Sequence, residues 1–156
     1  MSYYFDFNAT TPVVPEVMTV FQDALSVYGN VSSGHTQGRA ALGLLDDAKL
    51  KCASLLDADG WQCVVCSSAT EANNWVFQSI VSRHQRPHIV TIATEHASVL
   101  KPLQNYARQG VIELTVVGVG SDGHVLVEDV VAAVRDDTAL VSVMLANNEP
   151  GVIQPV

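Results

Sequence analysis

The spacing of apolar positions changes about two fifths of the way along the chain. Before residue 60, apolar side chains recur every three to four residues, which is the period of an amphipathic helix. This period predicts one helix from residue 15 to about 28 and another over roughly 37–56. We interpret residues 1–60 as an N-terminal helical segment.

After Gly60, short apolar runs alternate with amphipathic segments. The pattern predicts strands at 63–65, 89–92, 113–117 and 140–144, and helices at 71–83, 98–108 and 128–135. Strands made almost entirely of Val and Ile are typical of parallel sheets that are buried on both faces. We therefore predict an α/β fold for residues 61–156, with a mainly parallel sheet and helices on both faces.

Composition and charge narrow the functional classes. Hydrophobic residues make up 48% of the 156 positions, which is enough for the core of a globular domain. Eight Lys and Arg against 16 Asp and Glu give a formal net charge of −8, which argues against binding to nucleic-acid phosphates. No apolar run approaches the ~18 residues of a membrane span, and the first residues lack a secretion signal. We expect a cytoplasmic protein without membrane or nucleic-acid contacts.

The three cysteines are Cys52, Cys63 and Cys66. Their odd number, in a chain without a signal peptide, argues against a disulfide framework. Cys63 and Cys66 have the spacing of a redox pair or of half a zinc site, but no second Cys or His pair follows at ligand spacing. We expect reduced thiols, with Cys63 and Cys66 packed in a buried strand, and no metal site.

Polar loops follow three of the predicted strands, at residues 67–74, 93–96 and 146–149. In parallel α/β sheets, ligands bind outside the carboxyl ends of the strands, so these loops are where a site is expected. Each loop has a structural explanation when it is taken alone. Their occurrence at successive strand ends favours a shared site.

The first polar loop leads into a helix, whose unpaired N–H groups and positive dipole end attract phosphate. Small side chains at Ser67, Ser68 and Ala69 leave room for an anion, and the Thr70 hydroxyl can donate. A capping box, in which Ser68 caps the helix and Glu71 reaches back, explains the same residues. Taken alone, this loop favours capping.

The other two polar loops are equally open to two interpretations. His96 at a strand end can act as an acid, a base or an aromatic platform, whereas a lone histidine is more often a structural hydrogen-bonding residue. Asn147 and Asn148, followed by Pro150, are also typical of a polar turn.

Five motifs occur in an order that resembles the N-terminal part of the cysteine desulfurases. They lie at residues 6–12, 29–39, 67–74, 94–96 and 147–149. The cysteine desulfurases belong to the class V aminotransferase branch of fold-type I pyridoxal-phosphate enzymes, which also includes selenocysteine lyase. The resemblance covers nearly the whole chain and implies an incomplete large domain of that fold.

The resemblance implies roles for four residues toward pyridoxal 5'-phosphate. Ala69 and Thr70 match the Ala-Thr pair that binds the cofactor phosphate at a helix start. His96 matches the histidine that stacks over the pyridine ring and helps proton transfer, so it is the implied catalytic residue. Asn148 matches the residue beside the phenolic oxygen.

The implied activity is release of sulfur from L-cysteine, or of selenium from L-selenocysteine, which leaves L-alanine. The resemblance also implies a homodimer, a sulfur-acceptor protein and a place in iron–sulfur cluster biosynthesis. Nothing in the sequence separates the two substrates. A catalytically dead binding module with the same fold is a further alternative.

The chain departs from the family pattern in three ways. Ser68 replaces a glycine, and its Cβ would strain the turn if that position needs a positive φ. Val31 replaces a proline, which should loosen its loop. The cofactor lysine and the persulfide cysteine of the family lie beyond the point that matches Val156, so we expect residues 1–156 alone to be inactive.

Overall fold

The computed structural model describes residues 3–156, which form two compact units, one up to Val65 and the other Cys66–Val156. The first unit contains helix α1, Pro15–Leu25, and helix α2, Thr36–Leu55. Both helices predicted before residue 60 are present, and α1 ends before the predicted position 28. Proline suits the first position of α1 because its missing N–H has no partner there anyway.

The loop before α2 has a defined hydrogen-bonding pattern. Asn30 Oδ1 accepts from the Ser32 N–H at 2.9 Å, and His35 Nδ1 caps α2 by accepting from the Gly38 N–H at 3.2 Å. Gly38 has no room for a side chain, since a Cβ there would lie 2.2 Å from the Ser33 carbonyl oxygen. The presence of His35 and Gly38 in the motif at residues 29–39 is therefore explained by local structure: one caps α2, and the other allows a close backbone contact.

The second unit alternates helices and strands. Its elements are α3 Ala69–Arg83, β1 His88–Ile92, α4 Ala97–Arg108, β2 Glu113–Val117, α5 Val127–Ala133 and β3 Thr138–Ser142. The strand order is β2-β1-β3, and β1 pairs in parallel with both neighbours. The predicted α/β fold with a parallel sheet is confirmed.

Alternate residues of β1 face opposite sides of the sheet and build two cores. Ile89 packs on one side with Phe77 of α3 and Leu103 of α4. Val90 and Ile92 pack on the other side, where α5 contributes its partly buried positions. Helices therefore cover both faces of the sheet, as predicted.

The strand predicted at 63–65 is wrong. Residues 62–66 have no strand assignment, and the sheet of the described residues has three strands, not four. Val64 and Val65 are exposed, and the thiols are free, with Cys52 exposed and Cys63 and Cys66 half-buried. The expected burial of the cysteines is therefore wrong too, because a short apolar run without a paired neighbour gains no strand hydrogen bonds.

A buried histidine lies at the opposite end of the sheet from the polar loops. His88 opens β1 and is 1% exposed. Its Nδ1 is 2.8 Å from Thr138 Oγ1 on β3, and its Nε2 is 2.8 Å from Thr115 Oγ1 on β2. The imidazole thus links all three strands through side-chain hydrogen bonds.

We predict that acid weakens the fold through His88. Burial, and secondarily the Arg135 guanidinium, lower the pKa of His88 below its usual 6.5, against the opposing effects of Asp137 and Glu113. Because the folded state favours the neutral ring, its contribution to stability is present above pH 6.5 and is lost as the pH falls through the lowered pKa. Urea unfolding from about pH 8 to about pH 5 measures this loss.

His88→Gln is expected to flatten the pH dependence of the unfolding free energy over this range. The exposed His84, at the end of α3, provides the matched control, and His84→Gln should keep the wild-type slope. A wild-type slope in the His88→Gln variant would contradict this assignment.

No helix among residues 3–156 combines the length and the apolar character that crossing a membrane requires.

Candidate functional site

The strand order creates a crevice next to β1. The chain runs from β1 to β2 on one side and then returns to β3 on the other side of β1. In open α/β sheets, ligands bind at such a change of direction, outside the carboxyl ends of the strands. The loops that follow β1 and β3 are therefore neighbours at the expected position of a site.

A cavity of about 350 Å³ lies between these two loops. It is lined by Ala93, Thr94, Glu95, His96, Ala97, Asn147, Asn148, Glu149 and Pro150. Two of the four residues proposed from the sequence, His96 and Asn148, thus border the same cavity. The expectation that the site lies at the strand ends agrees with this geometry.

Asn147 joins the two loops. Its Nδ2 donates to the Thr94 carbonyl oxygen at 2.7 Å, and its Oδ1 accepts from the Glu149 N–H at 2.7 Å. The second bond closes the polar turn that the sequence allowed at this position. Residues 147–149 can therefore form a polar turn and also line a ligand site. Asn147 holds the turn, while the exposed Asn148 lines the cavity.

The loop after β1 places two buried polar groups beside the cavity. The Glu95 carboxylate accepts from Ser142 Oγ at 3.2 Å and from the His96 N–H at 3.2 Å. Thr94 Oγ1 is buried and has no hydrogen-bond partner among residues 3–156. A buried hydroxyl without a partner costs free energy.

His96 caps helix α4. Its Nδ1 accepts from the Ser98 N–H at 3.1 Å and lies 2.8 Å from Ser98 Oγ. Asn73, from the second turn of α3, donates from Nδ2 to Ser98 Oγ at 3.0 Å. His96 therefore has a structural role as the cap of α4. This role uses Nδ1, and Nε2 has no hydrogen-bond partner within residues 3–156.

The start of α3 uses most of its polar groups for capping. Ser68 Oγ accepts from the Glu71 N–H at 3.3 Å. The Glu71 carboxylate accepts from both the N–H and the hydroxyl of Ser67, at 2.6 and 2.7 Å. The Ser67 backbone bond, and then the Ser67 hydroxyl, lower the pKa of Glu71. The predicted capping box forms, with the glutamate reaching Ser67 instead of Ser68.

Within α3 itself, capping leaves the first two amides available. The first N–H groups of a helix have no partner within the helix. The Glu71 N–H is bonded to Ser68 and the Ser67 N–H to Glu71, whereas those of Ala69 and Thr70 have no recorded partner within residues 3–156. Both residues are exposed. The two spare amides belong to the pair that the sequence suggested for a phosphate.

The strain expected at Ser68 is absent. Its φ is −167° and its ψ is 163°, which is extended backbone that any residue adopts. A Cβ at this position therefore causes no backbone strain.

The four proposed residues do not all line one cavity. Ala69 and Thr70 are not among the residues around the cavity of His96 and Asn148. Helix α3 is nonetheless hydrogen-bonded to the His96 cap through Asn73. The roles of all four residues toward a cofactor therefore stay predictions.

Sequence reasoning missed three polar residues of this region. Asn73 and Thr94 lie within the predicted polar loops and Ser98 opens a predicted helix, but none of them was assigned a role of its own. Asn73 lies four positions after Ala69, which places it on the same face of α3. This four-residue spacing was the feature of the sequence that could have identified Asn73 as a residue of the site. Within the described residues, no group of three His, Cys, Asp or Glu side chains can hold a metal ion.

Comparison with known proteins gives consistent matches. A family model described as Aminotransferase class-V matches residues 3–156. Selenocysteine lyase of Bos taurus is 37% identical over 98% of this chain. Cysteine desulfurase IscS of Proteus mirabilis is 38% identical over 98% of it. The solved structure of a NifS-like protein superposes with a TM-score of 0.91 at 36% identity, over 99% of this chain.

The coverage of the matched proteins is partial. The chain spans 40% of the length of the bovine lyase and 39% of the length of the Proteus desulfurase. It covers 43% of the NifS-like structure.

Proposed function

Because the chain belongs to the class-V aminotransferase family, we propose that the complete gene product that contains it releases sulfur from L-cysteine and leaves L-alanine. The proposed cofactor is pyridoxal 5'-phosphate. Relatives that include a cysteine desulfurase support this reaction. The single structural observation that carries the proposal is the cavity shared by His96 and Asn148, next to a helix with two spare amides.

The residues present fit such a cofactor. The amides of Ala69 and Thr70 would bind its phosphate, since a helix start combines free N–H groups with the positive dipole end. Small side chains and extended backbone at Ser68 leave that start open. When bound, pyridoxal phosphate supplies an electron sink for the bond that is broken.

The chain's own residues would orient the ligand. His96 contributes a planar ring at the cavity wall, and its position is fixed by the cap of α4. Asn148 lies on the opposite loop, which Asn147 holds against the Thr94 carbonyl. Because the two loops are joined, the His96 imidazole and the Asn148 side chain would have fixed positions around a bound ligand. Holding reacting groups in a fixed geometry lowers the barrier of a reaction.

Selenocysteine lyase activity is the second candidate. It is favoured by a specific observation, since a selenocysteine lyase is 37% identical to this chain. The two reactions differ in the element that leaves, and both leave L-alanine. A catalytically dead module that keeps the fold is the remaining alternative.

Several further features belong to the proposal. We place the cofactor lysine and the sulfur-carrying cysteine outside residues 1–156, so this part alone should not turn over substrate. Homodimerisation, a sulfur-acceptor protein, a cytoplasmic location and a role in iron–sulfur cluster biosynthesis rest on the family resemblance and are proposed with it.

The deciding experiment measures L-alanine formation by the complete gene product. We expect turnover of L-cysteine that depends on added pyridoxal phosphate, and none by residues 1–156 alone. A kcat/KM larger for L-selenocysteine by about 100-fold or more would select the lyase instead, because discrimination is a ratio of kcat/KM values. Cofactor binding without turnover of either substrate would support the dead module.

A further inference from the structure

The hydrogen bonds around His96 determine which ring nitrogen carries its proton. The Ser98 backbone N–H can only donate, and it lies 3.1 Å from His96 Nδ1. Nδ1 therefore accepts, so the proton of the neutral imidazole is on Nε2. In this tautomer the ring can donate a hydrogen bond to a ligand from Nε2, but that nitrogen has no lone pair with which to take up a proton.

The Ser98 hydroxyl is oriented by a residue of α3. Asn73 Nδ2, an amide donor, lies 3.0 Å from Ser98 Oγ. Because Ser98 Oγ accepts from Asn73, its own proton is available to His96 Nδ1, 2.8 Å away. Ser98 is only 8% exposed, so water competes little for these bonds. A directed series of donors thus runs from α3 to His96.

We propose that Asn73 and Ser98 are positioning residues that hold the proton of His96 on Nε2, so that His96 meets a bound ligand as a hydrogen-bond donor and not as a base. This inference deepens the proposed function, on which the identity of the ligand rests. The positioning itself needs no ligand, because all three bonds form within this chain.

The tautomer is measured by long-range proton–nitrogen correlation NMR. The sample is the complete gene product with ¹⁵N-labelled histidine, at an alkaline pH where free histidine is neutral. The missing signals of a His96→Gln variant assign the ring. We expect a protonated Nε2 and an unprotonated Nδ1. If the wild-type spectrum shows the proton on Nδ1, the proposal is refuted by that measurement alone.

Asn73→Asp reverses the direction of the hydrogen bonds with little change in shape. A carboxylate only accepts, so the Ser98 hydroxyl turns toward residue 73 and its oxygen becomes an acceptor for Nδ1–H. We expect the ratio of Nδ1–H to Nε2–H tautomers to rise about fivefold to tenfold, the effect of one ordinary hydrogen bond. An unchanged ratio counts against the proposal.

Ser98→Ala separates this relay from a through-space effect of the new charge. The alanine keeps the backbone N–H that donates to Nδ1 but loses the hydroxyl donor, so the single variant should raise the ratio less than Asn73→Asp does. Combined with Asn73→Asp, it should give the same ratio as Ser98→Ala alone, because no hydroxyl remains to pass on the reversal. A double variant whose ratio lies well above that of Ser98→Ala would show that the charge acts directly, and the relay would be refuted.

The spectra are recorded without cofactor, so this inference and the proposed function fail independently. Absence of alanine formation, together with the expected tautomers, refutes the function and leaves the positioning role intact. In an active gene product, Asn73→Asp should lower kcat for L-cysteine in proportion to the loss of the Nε2–H population, which the same spectra measure. A shifted tautomer with an unchanged kcat would refute the donor role of His96.

Discussion

Replacing His96 by alanine is expected to lower kcat for sulfur release by the complete gene product about 100-fold, the lower end of what one preorganised hydrogen-bond donor contributes. The ring lines the cavity, and Nε2 is its only nitrogen without a bond in the α4 cap. Initial rates of L-alanine formation at saturating L-cysteine and cofactor measure the effect. KM should change much less, since the lost contact acts mainly on the reacting state.

The alanine variant also removes a helix cap, which by itself costs about 1 kcal/mol of stability. His96→Asn separates the two effects, because asparagine is a favoured cap that can still accept from the Ser98 N–H. We expect His96→Asn to melt near the wild-type temperature and yet to be as slow as His96→Ala. His84→Ala, at the exposed end of α3, should keep wild-type kcat.

Recovery of kcat in His96→Asn would mean that the cap alone matters and that the imidazole has no part in the reaction. Equal activity of wild type and His96→Ala would exclude the cavity as the reaction site. Both results can be distinguished from misfolding, since the melting temperature is measured on the same samples.

Periodicity was sufficient to predict the elements of the second unit that bury apolar side chains. The runs of Val and Ile at 89–92 and 113–117 lie within β1 and β2, where the sheet is covered on both faces. The same principle failed at 63–65, because an apolar run specifies neither the neighbouring strand nor the surface that would bury it. Val65 is exposed within the described residues, and no ladder supports it.

The candidate site could be predicted only in part. The rule that loops after parallel strands form ligand sites was enough to group His96 with Asn148. It could not reveal the bond between Asn73 and Ser98, which are 25 positions apart and meet only because α3 packs on α4. The rule also could not predict the φ and ψ angles of Ser68, which are extended at the N-cap of α3.

The second large effect is expected at the start of α3. Ala69→Pro should weaken binding of pyridoxal phosphate to the complete gene product about 10- to 100-fold, because it deletes one donor to a charged group. Proline is well tolerated at the first position of a helix. It also requires an extended preceding residue, and Ser68 already is extended. The helix should therefore persist while one of its two spare amides is lost.

Ala69→Ser is the matched control, since it keeps the N–H and adds a side chain of similar size to that of its neighbour Ser68. Cofactor titration followed by absorbance should give the serine variant a Kd close to that of wild type, and both variants should keep the wild-type melting temperature without cofactor. If the proline variant binds pyridoxal phosphate as tightly as wild type, the helix start is not the phosphate site. The bonds of Ser68 and Glu71 at this turn would then serve only to cap α3.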